Sequence, residues 1–169
     1  MTYLTLNNGV QMPQVGLGTY LIPNGELKRV IGEAYEMGYR QFDTAWRYHN
    51  EREIALALKY HGIKRENVFI TTKVNADALY YFGYRYGKHR IFNFRNFRSI
   101  KNVVLESFEN LQTNYIDLFL VHWPWPMYRR MYEVLTDLYH EGRIRAIGVC
   151  SCTPPIYRHL QKFLMWFQQ

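Results

Sequence analysis

The sequence is short of several features that would mark a function at once. No stretch approaches the roughly 18 consecutive apolar residues of a membrane-spanning helix. The opening MTYLTLNNGVQMPQ lacks the charged-then-apolar order of a secretory signal. A cytoplasmic protein without a membrane partner is therefore expected. Cysteine is scarce: Cys150 and Cys152 are the whole complement. They stand too close for an easy disulfide, and no His or Cys lies nearby at zinc-ligand spacing. Both are expected to be free thiols, and no metal site is expected. A phosphate-loop motif is missing, and the first βα turn, GLGTYLIPNGE, lacks the G-x-G-x-x-G geometry of a Rossmann dinucleotide site.

What is there suffices for one ordinary domain over 1–169. The chain has 169 residues, 48% of them hydrophobic, and a formal charge of +7, so it can bury a real core. A basic surface attracts nucleic acid, anionic membrane or a phosphorylated small molecule. Charge alone does not choose among these.

The apolar runs alternate with amphipathic ones. TYLTL and VQMPQ flank Asn7-Asn8-Gly9 and predict a hairpin. Strands are predicted over 15–20, 39–45, 68–74, 116–123 and 144–151. Helices are predicted over 26–37, 51–60, 99–111, 131–140 and 156–163, with Gly38 and Gly142 as stops. The final LMWFQQ reads as the start of a sixth strand. This cadence argues for βαβ units and a parallel sheet, either open and doubly wound or part of a barrel. One connection, 75–98, is long and interleaves aromatic with basic residues, Tyr84, Arg85, Tyr86 and Lys88 among them. It is read first as a loop at the mouth of the site and second as a contact for an anion or single-stranded nucleic acid.

Four polar residues stand at or just past the carboxyl ends of these strands: Asp43 and Tyr48 in FDTAWRYHNE, Lys73 in FITTKV and His122 in DLFLVHWP. In parallel α/β folds the chemistry gathers at that end. Each residue also has a plain structural reading. Asp43 would cap a short helix, Tyr48 sit in a loop, Lys73 reach water and His122 pack beside Trp123. Glu51 would cap the helix it begins, and Asp117 would stabilise the start of its strand.

The motifs MPQVGLGTY, GYRQFDTAWRYHNE, VFITTKV, NYIDLFLVHWP and GRIRAIGVCS follow one another between residues 12 and 151. In order and spacing they resemble the aldo-keto reductase family. The resemblance implies a (β/α)₈ barrel of the TIM type, here incomplete, with about five βα units after an N-terminal hairpin. It implies reduction of a small aldehyde or ketone with NADPH or NADH. By position Tyr48 would be the general acid, Lys73 would lower its pKa, Asp43 would pair with Lys73, and His122 would orient the carbonyl. Gly18, Thr19, Tyr20 and Asp43 would lie along the cofactor. Tyr20, Trp46 and Trp123 would wall the substrate pocket. The roles are chemically coherent. Hydride attack builds charge on the carbonyl oxygen, a donor aimed there stabilises it, and a nearby ammonium makes a phenol a better acid.

Two departures accompany the resemblance. Where the family has Ser-Asn-Phe after the fifth strand, this chain has Cys150-Ser151-Cys152. Cys150 and Ser151 thus replace the family's carboxamide contacts with a weaker and a shorter group. A lost hydrogen bond costs roughly 0.5–1.5 kcal/mol. The chain also ends after five strands, with Gln168 offered as a match to a further carboxamide contact. A C-terminally truncated member is expected, with open sheet edges that favour self-association. An inactive homologue or assembly partner is the alternative.

Overall fold

A computed structural model describes residues 1–74, 100–123, 128–155 and 158. A short antiparallel hairpin comes first, β1 (Tyr3–Thr5) against β2 (Gln11–Pro13), in the register Leu4↔Met12. Then follow β3 (Leu17–Gly18), α1 (Asn24–Glu36), β4 (Gln41–Asp43), α2 (Glu51–Tyr60), β5 (Phe69–Val74), α3 (Ile100–Asn110), β6 (Ile116–Val121), α4 (Tyr128–His140) and β7 (Ile144–Val149). The expected helix over 156–163 apart from residue 158, the expected sixth strand, Gln168 and the loop over 75–98 lie outside the described residues.

Strand order separates the two architectures that periodicity left open. The five strands pair in parallel in the order β3-β4-β5-β6-β7. A doubly wound sheet reverses its order at a switch point. This sheet advances one strand at a time, as a barrel wall does.

Burial explains the strand composition. All six residues of β5 are buried, which suits a central parallel strand and accounts for FITTKV showing no polar alternation. One face of the sheet packs on the helices through Phe42, Ile70 and Phe119, against Leu27 and Ile31 of α1, Ile54 of α2 and Leu135 of α4, all 0% exposed. Gly32 makes the closest approach: a Cβ there would meet the His61 ring at 2.4 Å. Gly38 ends α1 as expected, at φ 97°, with the N–H of Tyr39 returning to Ala34. Among the described residues no helix is long and apolar enough to cross a membrane.

The expected strand boundaries shorten. β3 keeps two residues of the predicted 15–20: Thr19 still bonds Asp43 O, and the chain turns just after it, with the N–H of Ile22 on Thr19 O and Leu21 at a left-handed φ of 62°. The predicted 39–45 shrinks to Gln41–Asp43, after which Trp46–Tyr48 forms a 3₁₀ turn. α4 begins at Tyr128, ahead of the predicted 131.

Candidate active site

Register gathers the polar residues. Gly18, Asp43, Thr71, Leu118 and Ala146 form one row across the sheet. Paired residues share a face, and residues two apart on a strand share it again. Lys73, paired with Leu120, therefore stands one step above that row. His122 follows two residues after Leu120, its N–H bonded to Val74 O at 2.8 Å. Asp43, Lys73 and His122 thus climb one face of three adjacent strands toward their carboxyl ends. Tyr48 joins them from the 3₁₀ turn after β4, its N–H bonded to Ala45 O at 2.9 Å.

The side chains meet. Lys73 Nζ donates to Asp43 Oδ1 at 2.5 Å and to Thr44 O at 2.8 Å. The ammonium also sits 5.1 Å from the centroid of the Tyr48 ring. Tyr48 and His122 lie edge to face at 5.8 Å, and His122 stacks on Trp123 at 4.4 Å. The Tyr20 ring lies tilted against Tyr48, 4.9 Å between centroids. All four residues singled out in the sequence are brought together.

Burial sets the charge states. His122 is held well below the usual imidazole range, at about 4, first by burial and then by the Lys73 and Arg47 cations, with Asp43 opposing. It is neutral at physiological pH. Its Nδ1 is buried with no hydrogen-bond partner among the described residues. Burial pushes the Cys150 thiol up, and Cys150 Sγ donates to His122 O at 3.0 Å. Cys150 therefore spends its weak donor on the strand beside it. Ser151 remains exposed with a left-handed φ of 55°.

Two of the expected contact residues are buried and have structural partners. Thr19 was expected along the cofactor, yet it is 0% exposed. Its hydroxyl donates to Asp43 O at 3.0 Å and accepts from Asn50 Nδ2 at 3.2 Å. It is a strut between β3 and β4, and the exposed pieces of that stretch are Gly18 and Tyr20. Trp46 was expected on the pocket wall. It packs in the hydrophobic core and donates its indole N–H to Glu106 of α3 at 3.2 Å. Tyr20 and Trp123, 63% and 40% exposed, are open rim residues. Cys150 and Cys152 are free thiols.

Other residues escaped the sequence reading. Asn50 is buried beneath Thr44 and Thr19. Glu51, expected to cap α2, makes no cap hydrogen bond: its carboxylate is buried and accepts from Thr72 Oγ1 at 2.6 Å and Asn110 Nδ2 at 3.2 Å. The polar pair Asn50-Glu51 before an apolar helix was the available signal. Asp117 has the structural place expected of it, receiving Arg65, Arg145 and the N–H of Ile70.

Known proteins show the same combination of sequence and fold. The family model of the aldo/keto reductase family matches residues 14–165. Methylglyoxal reductase DkgA of Escherichia coli (strain K12) is 36% identical over 166 residues, covering 96% of this chain and 53% of that protein. Glyoxal reductase of Bacillus subtilis is 36% identical over 162 residues, covering 94% of this chain and 51% of that protein. The crystal structure of an aldo/keto reductase from Brucella melitensis superposes with a TM-score of 0.79 at 30% identity, covering 96% of this chain and 58% of that one. The chain spans about half the length of the curated relatives it matches. With the matched segment spanning β3 through β7, this chain belongs to the aldo/keto reductase family.

Proposed function

We propose that this protein reduces small aldehydes or ketones, α-oxoaldehydes such as methylglyoxal among them, to alcohols with NADPH or NADH. The observation that carries the reading is the Asp43–Lys73–Tyr48–His122 cluster at the carboxyl ends of adjacent parallel strands. The names of the two bacterial relatives support the substrate class.

Tyr48 holds the proton that the carbonyl oxygen needs as charge develops there. The Lys73 ammonium stabilises the charge left on the phenol oxygen, and Asp43 and the Thr44 carbonyl hold that ammonium in place. His122, neutral and fixed between Tyr48 and Trp123, orients the carbonyl by hydrogen bonding. Tyr20 and Trp123 offer apolar rims to a small substrate.

The residues present fit a nicotinamide cofactor beside this cluster. A Cβ built on exposed Gly18, next to Asp43 in register, would meet nothing within 4 Å. Gly18, Tyr20 and Ser151 would hold the group, with Ser151 the donor on the β7 side, since the Cys150 thiol is already spent on His122 O. Such a cofactor supplies the hydride when bound. Its preference for NADPH over NADH is favoured by the basic balance of the chain.

Incubating the chain with NADPH or NADH and a panel of small carbonyls tests the reading. Mass spectrometry should show the alcohol forming in step with cofactor oxidation. No alcohol from any carbonyl, with the chain folded by circular dichroism, would favour the inactive homologue.

A further inference from the structure

We infer that Asn50 is a positioning residue for the proposed reduction, acting on Tyr48 and Lys73 without touching either. The inference rests on the functional reading above and adds a residue that reading does not use.

Asn50 is 2% exposed, and its amide is engaged at both ends. Its Oδ1 accepts from Thr44 Oγ1 at 2.6 Å, while its Nδ2 donates to Thr19 O at 2.9 Å and to Thr19 Oγ1 at 3.2 Å. Thr44 supplies the carbonyl that receives Lys73 Nζ. Thr19 sends both its N–H and its hydroxyl to the Asp43 carbonyl, at 2.9 and 3.0 Å. The Asn50 amide therefore ties together the backbone on both sides of the Asp43–Thr44 peptide.

The same side chain closes the loop that carries Tyr48. Thr44 opens the segment 44–50 and Asn50 ends it, so the Oγ1···Oδ1 bond joins the two ends of that loop. Inside it, Ala45 is extended, Trp46–Tyr48 makes one 3₁₀ turn, and His49 takes a left-handed φ of 53°. The His49 carbonyl is held separately by Asn24 Nδ2 at 3.3 Å. The Asn50 carbonyl then starts α2 by accepting the N–H of Ile54 at 3.1 Å. One amide thus fixes the base of the Tyr48 loop beside the backbone of Asp43 and Thr44, the two residues whose carboxylate and carbonyl hold Lys73.

Chemistry makes asparagine specific here. The site needs an acceptor for the Thr44 hydroxyl and a donor for the Thr19 carbonyl at one fixed reach. Aspartate has the shape but offers no N–H, so it would set a carboxylate oxygen against the Thr19 carbonyl. Alanine leaves three polar groups buried without this partner.

The test compares four single substitutions in the whole chain. Asn50→Asp and Thr44→Val break the tie, Thr44→Ser keeps its hydroxyl, and Asp117→Asn weakens a buried polar cluster that does not involve the tetrad. Two readouts are taken on samples shown folded by circular dichroism: kcat and KM for methylglyoxal with NADPH, and the NMR signal of the Tyr48 ring in tyrosine-labelled protein, assigned with Tyr48→Phe. A misplacement of about 1 Å can cost about a hundredfold in rate. Asn50→Asp should lower kcat at least about tenfold, with KM changed less than about threefold, and should move or broaden the Tyr48 signal. Thr44→Val should do the same in smaller degree, while Thr44→Ser and Asp117→Asn should keep both kcat and the signal. Unchanged kcat and an unchanged Tyr48 signal in both tie-breaking variants would overturn the inference, as would an equal loss of kcat in Asp117→Asn. If the unsubstituted chain shows no turnover, the functional reading fails and the Tyr48 signal alone decides the positioning role.

Discussion

The Lys73 ammonium lies 2.5 Å from the Asp43 carboxylate, across neighbouring parallel strands, with side-chain exposures of 8% and 33%. That contact ties a charge on the nearly buried β5 to the more open end of β4. Replacing Lys73 by Met removes the cation and leaves Asp43 facing an apolar chain. Breaking a fully buried pair costs roughly 3–5 kcal/mol. Asp43 keeps partial access to water, so the loss should fall below that range, at about 1–3 kcal/mol. Urea unfolding reads it. Activity should fall at least about a hundredfold, and retained activity would remove Lys73 from the proposed chemistry.

His122 predicts a pH dependence. Its folded-state value is about 4 against 6.5 for a free imidazole. Between those values the unfolded chain binds the proton more readily, so stability rises with pH there. The contribution is complete above about pH 6.5 and is lost as pH falls toward 4. Proton NMR of the ring should show His122 still neutral at pH 6. A midpoint near 6.5 would contradict the buried, cation-flanked environment.

Glu51 predicts the opposite slope. Its carboxyl is buried at the start of α2, and burial raises its folded-state value, opposed by the Thr72 and Asn110 hydrogen bonds. The folded chain then holds this proton more tightly than the unfolded chain, and stability falls as pH rises above the ordinary carboxylate range. Glu51→Gln removes that titration. Because the His122 rise then stands without the opposing Glu51 loss, Glu51→Gln should gain more stability between pH 5 and pH 8 than the unsubstituted protein does, read from urea midpoints. The same pH difference in both would place the cause elsewhere.

The sheet edges predict association. Among the described residues β3 and β7 each have one strand neighbour, and unpaired strand edges recruit other strands. Analytical ultracentrifugation should show species larger than a monomer at micromolar concentration. A single monomer boundary across the concentration range would show that these edges are covered.

Much of this site was legible in the sequence because it lies at strand ends. Short apolar runs mark parallel strands, and the first polar residues after them mark the end where loops converge. Asp43, Lys73 and His122 follow from that rule, and Tyr48 from the motif around it. The Asn50 network was hidden, because its partners Thr19 and Thr44 are distant in sequence and its hydrogen bonds depend on how two loops pack. The packing of Trp46 was hidden for a related reason. An aromatic beside catalytic residues reads as a pocket wall, but the 3₁₀ turn rotates this one into the core and brings Glu106 to its N–H. Periodicity alone left sheet order open, because βαβ cadence gives only parallel pairing; the motif resemblance implied a barrel, and the one-by-one succession of strands agrees with it.

The most direct measurement compares NADPH-dependent methylglyoxal reduction by the unsubstituted chain and by Tyr48→Phe. The substitution removes one oxygen from a half-buried ring and leaves its contacts with Tyr20 and His122 available. The account predicts cofactor-dependent alcohol formation by the unsubstituted chain and a loss of about 10²–10³ in kcat in the variant, at equal thermal stability. Equal rates in the two proteins would contradict Tyr48 as the proton donor, and with it the role assigned to the Asp43–Lys73–Tyr48–His122 cluster.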